Sequence, residues 1–296
     1  MRRTGTATSQ CTYRTVSELH TIVAGLAFPE CPRWHDGSLW FSDMHADQVI
    51  QVSASGKILQ TLEVPGNPGG LGWLPDGQML IVGMKSNLLY RLMDATLEVY
   101  ADLGTVHTHQ SNDMVVGDDG TAYIGNFGFD LMAGDPPQST QLAQVAPGGA
   151  VSAGPSELSF PNGMVITDAG KTLVVAESWG NRLTAFSIAA DGSLSQRRVW
   201  AELGKLIPDG ICLDAEGCIW VSACANHACV RVREGGEVLE SIDTGNLNPF
   251  ACMLGGADGH TLFMCNAGSA NPKQTLNERS GRIDCVQVSV PAAPGE

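Results

Sequence analysis

No stretch of this chain approaches the roughly 20 consecutive apolar residues that cross a bilayer, and no apolar core follows the two arginines of the opening "MRRTGTATSQCTYRT". A membrane anchor or secretory leader is therefore not expected, and the cytoplasm is the expected compartment. Charge is scarce and lopsided: 16% of the 296 residues are charged, 17 basic against 31 acidic, for a formal net charge of −14. That balance repels nucleic acid and anionic membranes, so neither is expected as a partner. Serine-hydrolase chemistry lacks its G-x-S-x-G elbow. Nucleotide chemistry lacks a P-loop, and the one Gly-rich run, "GNPGGLG" at 66–72, enters a strand pattern instead of a helix. Helical periodicity is almost missing.

Nine cysteines, an odd number with no leader, argue for reduced thiols and against a disulfide framework. Cys212, Cys218 and Cys265 lie in apolar runs where a thiol acts as a small hydrophobe. "CANHAC" (224–229) lacks the second Cys/His pair and the spacing of a zinc site.

What is plentiful is turn-forming sequence, with 35 glycines and 15 prolines. An apolar run, a turn with Gly near an acidic residue, and an alternating run recur six times, centred on Gly37, Gly77, Gly120, Gly170, Gly217 and Gly259. Asp-Gly between two β-patterned runs marks a hairpin, because the turn needs a positive φ that Gly adopts without strain. Further strand patterns fall between hairpins, at 88–93, 182–188 and 229–234. A period of about 40 to 50 residues with about four strands per unit is that of a propeller blade. The expected fold is all-β, a six-bladed β-propeller of four-stranded antiparallel blades around a central channel. A β-sandwich does not account for so regular a repeat. The domain is expected over 18–290, with 1–17 an extension that is frayed or closes the last blade and 291–296 a tail. A closed ring leaves little exposed edge, so a monomer is the default.

Residues entering the first strand of each hairpin converge on the axis of such a ring. They are Glu30, Asn67, Asn112, Asn162, Asp209 and Asn248. Asn and Asp also cap turns at such positions, but "FPE", "FPN" and "IPD" recur at equivalent places. Oxygen donors gathered there suit a hard divalent cation, with Ca²⁺ the favoured match and Mn²⁺ or Zn²⁺ as alternatives.

From about Glu18 to Val290 the chain resembles the SMP-30/gluconolactonase/luciferin-regenerating-enzyme family. The motifs that carry the likeness are "FPECPRWHDGSLWFSD", "SNDMVVGDDGTAYIGN", "FPNGMVI", "AESWGNRLTAF" and "PDGICLDAEGCIWVS". The resemblance implies a six-bladed propeller that hydrolyses lactones with one divalent metal, held by Glu30, Asn162 and Asp209. It implies that Asn112 and Asp130 contact substrate; Asp209 is the candidate general base, since a carboxylate that binds metal through one oxygen can keep the other free toward the attacking water. One position departs: where sugar-lactone members carry an arginine that contacts substrate hydroxyls, this chain has Gln110. Loss of that fixed fork of donors weakens the case for a polyhydroxylated lactone. His107 and His109 precede it as candidate lid residues, with His109 a candidate for touching substrate. Phe127, Phe129 and Trp179 make the rim partly apolar or pack the blades, and Trp179 is counted among the substrate contacts. The expected ligand is thus a small lactone or ester. Hydrolysis, isomerisation or cyclisation of a non-sugar ester in the same site is the alternative chemistry, and a non-catalytic binding platform is the alternative class.

Overall fold

The computed structural model describes residues 18–295. The expectation for 1–17 falls outside the described residues. Six four-stranded antiparallel sheets form the molecule, and each of five holds four strands consecutive in sequence. The sixth takes three strands from the C-terminal region and its outer strand, His20–Leu26, from the N-terminal region, so chain ends close the ring. Neighbouring inner strands pack side by side in the order of the sequence, and the last returns to the first. This is a six-bladed β-propeller. Blades are numbered here from the inner strand Pro29–His35.

The local signals act as their chemistry demands. All six repeat glycines sit at positive φ, from 71° at Gly37 to 85° at Gly170, where a Cβ would be strained. The strand patterns at 88–93 and 182–188 are strands Leu88–Met93 and Arg182–Ile188, and the third is Ala228–Val232. The inner strands are buried almost throughout and the outer ones alternate or face solvent, as in Ile58–Glu63. Apolar side chains fill the wedges between blades: Trp34 of blade 1 stacks on Phe263 of blade 6 at 5.5 Å between centroids.

Two features were not read from the sequence. The loop at 267–281 contains a short helix, Pro272–Glu278, capped by the Asn271 side chain. The chain after 290 is held by the fifth blade, with Ala215 N–H donating to Pro291 O at 2.9 Å and a bridge between Asp214 and Ala292. Among the described residues no helix is long and apolar enough to cross a membrane, and the eight described cysteines are free.

Candidate functional site

The blades place their polar residues by a repeated irregularity. In every blade the pairing between first and second strand slips near the start of the inner strand: between Glu30 and Arg33, Pro68 and Leu71, Ser111 and Met114, Pro161 and Met164, Pro208 and Ile211, and Pro249 and Ala251. A β-bulge re-aims a side chain that regular pleating would send into the neighbouring blade. Asn112, Asn162 and Asp209 each lie within such a slip, and Glu30 begins one. The bulges need close approach between strands. At Gly163 an added Cβ would stand 2.6 Å from Ile211 N and 2.8 Å from Asp209 O.

Glu30, Asn112, Asn162 and Asp209 are all buried and line one cavity of about 240 Å³ at the mouth of the channel. Gln110 and Trp179 line it too. His109 and Asp130 are not among its lining residues. The Asp130 carboxylate instead accepts from Met132 N–H at 3.0 Å and Ala133 N–H at 2.9 Å, holding the turn that follows it. His109 pairs through Nδ1 with the Thr108 hydroxyl at 3.1 Å. His107 is buried against Ser111 Oγ at 2.8 Å, and burial holds its pKa down to about 4, so it is a neutral core residue.

The electrostatics of the channel are those of surplus negative charge. Burial pushes the Glu30 carboxyl well above the usual range, and the charge on Asp209 adds to it. Asp209 is pushed up to about 7, chiefly by burial, with the Asp113 charge adding and hydrogen bonds from Cys224 and Asn162 opposing. Arg33 is a cation whose charge acts on Glu30, but its Nη2 donates to Asp113 Oδ1 at 2.7 Å and its Nη1 to Pro32 O at 2.8 Å. Its pull on Glu30 is smaller than the push from burial and from Asp209. Two buried carboxylates that burial and neighbouring negative charge disfavour are the donor set that a bound cation stabilises, so the residues fit a hard divalent ion. Among the described residues no three His, Cys, Asp or Glu side chains are grouped to hold a metal. An ion here must therefore use amide or backbone oxygens beside the carboxylates. The "CANHAC" segment forms no zinc cluster: His227 is exposed and bonds Leu247 O, while Cys229 is buried within its blade.

Several site residues escaped the sequence reading. Cys224 lines the cavity and hydrogen-bonds Asp209. Ser178 accepts from Asn162 Nδ2 at 3.2 Å and donates to Pro208 O at 2.7 Å, tying blade 4 to blade 5 beneath the cavity. Lys85, His45, Phe28, Phe160 and Phe250 complete much of the wall. His45 stacks on Phe28 at 4.5 Å, and its Nδ1 meets Thr275 Oγ1 at 2.7 Å, which fastens the short helix to the rim. None of these carries a motif; they reach the site through the ring closure. Only "FPE" and "FPN" hinted at the two phenylalanines Phe28 and Phe160.

Comparison with known proteins gives three kinds of match. Residues 28–268 match the family model described as SMP-30/Gluconolactonase/LRE-like region. A 6-deoxy-6-sulfogluconolactonase of Pseudomonas putida is 23% identical over 281 residues, covering 88% of this chain and 91% of the relative. Among solved structures, a luciferin-regenerating enzyme superposes with a TM-score of 0.80 at 17% identity, covering 93% of this chain and 97% of its own. A calcium-binding regucalcin from Agrobacterium tumefaciens superposes with a TM-score of 0.77 at 21% identity, over 90% and 92% of the two chains. At these identities the structural matches speak to the fold.

Proposed function

The chain belongs to the SMP-30/gluconolactonase/LRE-like family, and from that premise we propose that it is a lactonase that hydrolyses a small lactone at the channel mouth with one divalent cation. The observation that carries the reading is the pair of buried carboxylates, Glu30 and Asp209, whose charges burial disfavours, with the Asp209 charge adding to the push on Glu30 and the Asp113 charge to that on Asp209. A binding platform has no use for such a pair at the floor of a deep cavity. The family match and a 6-deoxy-6-sulfogluconolactonase relative support the class.

Glu30, Asn162 and Asp209 would hold the cation, with Ca²⁺ first for an oxygen donor set and Mn²⁺ or Zn²⁺ as alternatives. The chemistry such an ion supplies is polarisation of a carbonyl and countercharge for the oxyanion that develops. Asp209 acts as general base. Water oxygen bonds to the lactone carbonyl carbon while its proton passes to the Asp209 carboxylate. The ring C–O bond then breaks, and the same proton goes to the departing ring oxygen, leaving a hydroxy acid and Asp209 ionised. Asn112, whose Nδ2 lies 3.5 Å from Pro161 O, and Gln110 orient the ring.

The test is hydrolysis of a panel of sugar and non-sugar lactones by chelated protein and by protein resupplied with Ca²⁺, Mn²⁺ or Zn²⁺. Turnover restored by a cation supports the reading. Turnover of no lactone with any cation overturns it.

A further inference from the structure

Blades 3 and 4 lie across the axis from blades 6 and 1, because the inner strands follow one another around a closed ring. Aromatic side chains face the cavity from both sides. From blades 3 and 4, Phe127 stacks on Phe160 at 4.5 Å and Trp179 meets Phe160 edge-on at 5.9 Å. From blades 6 and 1, Phe250 meets Phe28 edge-on at 4.7 Å. Phe160 holds a φ of 60°, a conformation costly for a bulky residue. It persists because ring neighbours and the Ser178 N–H, which donates to Phe160 O at 3.1 Å, fix it there. At the mouth, Trp179 is 44% and Met132 52% exposed, large apolar groups that water wets until something covers them.

Several polar side chains of the lining, by contrast, are engaged within the protein itself. Asn67 Nδ2 donates to Met44 O at 2.9 Å, and Asn162 and Ser178 bond each other and Pro208 O. Gln110 enters the lining as an uncharged amide. A ligand with several hydroxyls would leave some of them buried against rings without partners, at about 1–3 kcal/mol each. An apolar substituent loses nothing and covers the rings.

We infer that the substrate of this site is a lactone bearing an aryl or alkyl substituent and few hydroxyls, seated between the two aromatic walls. The inference rests on the lactonase reading and refines it.

Three δ-lactones that share one ring test it: δ-valerolactone, its pentyl-substituted form δ-decalactone, and glucono-1,5-lactone. A phenyl-substituted δ-valerolactone completes the set, and each kcat/KM is divided by the rate of hydroxide hydrolysis of the same compound. The alkyl and aryl lactones are expected to exceed both others by about tenfold or more. Trp179→Ala is expected to narrow that advantage, lowering kcat/KM for the alkyl and aryl lactones by a larger factor than for δ-valerolactone. Opening glucono-1,5-lactone as fast as the apolar lactones overturns the substrate class and leaves the lactonase intact. If no lactone is opened, the lactonase reading fails, and calorimetric titration then decides what the cavity prefers. Tighter binding of the phenyl lactone with a negative heat-capacity change supports the apolar site. Tighter binding of glucono-1,5-lactone, or binding of neither, overturns it.

Discussion

Asp209 and Glu30 share one buried cavity so closely that, after burial itself, the charge on Asp209 is the largest influence holding the Glu30 carboxyl above its ordinary range. Such a pair makes the cation-free protein sensitive to pH. A carboxyl whose folded pKa is raised contributes stability below its unfolded pKa and loses it as pH climbs through the folded value. For Asp209 that window runs from 3.8 to about 7. Chelated protein should therefore lose thermal stability between about pH 4 and about pH 7. A cation at 100 times its Kd should add about 2.7 kcal/mol, and the added stability should be larger at the higher pH. Differential scanning calorimetry with and without chelator checks this. A Tm that is flat across the window and unmoved by Ca²⁺, Mn²⁺ and Zn²⁺ would count against a cation site.

The two carboxylates separate into ligand and base by kinetics. Asp209→Asn should lower kcat by about 10²–10⁴-fold on the best lactone and weaken cation binding. Glu30→Gln should act through the cation, so excess metal should recover much of its activity, whereas excess metal should not recover Asp209→Asn. An Asp209→Asn protein that turns over near normally with cation bound would remove Asp209 from the role of base. Asp209→Asn should raise the Tm of chelated protein at about pH 8, since it removes a buried charge.

The blade count, the hairpins and the inner-strand donors were legible because they rest on local chemistry that repeats. Gly37, Gly77 and their four counterparts need a positive φ, and Glu30, Asn162 and Asp209 follow a proline at the start of a strand. The full cavity wall was not legible, since Phe28 meets Phe250 only when blade 6 closes on blade 1, and Phe160 faces them from the other side of the ring. Asp130 shows the limit of carrying a position across: its side chain caps its own loop at Met132 and Ala133. The bulges were equally hidden. A slipped pair leaves no mark in alternation when the strand is buried around the slip.

Glu177 anchors the segment that carries Phe160 and Asn162. Its carboxylate is fully buried, accepts from Ser159 N–H at 2.8 Å, and pairs with Arg182 at 2.9 Å and Arg197 at 3.2 Å. Burial alone would raise its pKa, but the bonds from Arg182, Thr184 and Ser159 outweigh that and hold it down. Its contribution is therefore present above the unfolded pKa and lost as pH falls through the folded one. Glu177→Gln leaves two guanidinium groups without their charge partner. It should cost about 3 kcal/mol in chemical denaturation at neutral pH, and less at acid pH. It should also raise KM, because Ser159 precedes the strained Phe160. A denaturation midpoint within error of the unchanged protein would show that the network is dispensable.

Gly163 tests whether close packing of inner strands sets the geometry of the site. An added methyl would meet backbone atoms, Ile211 N at 2.6 Å and Asp209 O at 2.8 Å, and neither can swing aside as a flexible side chain would. Gly163→Ala must push blade 4 from blade 5 at the level of Asn162 and Asp209. The expected loss is about 1–3 kcal/mol of stability, with cation affinity weakened at least about tenfold because two of the three donors move apart. Gly37→Ala is the control. Its Cβ meets nothing within 4 Å, so its cost comes only from a φ of 71°, about 1 kcal/mol, with cation binding unchanged. Calorimetric titration of the cation into both variants separates the two causes. If Gly163→Ala binds the cation as tightly as Gly37→Ala, the donors are held by the bulges within each strand and not by the spacing between blades.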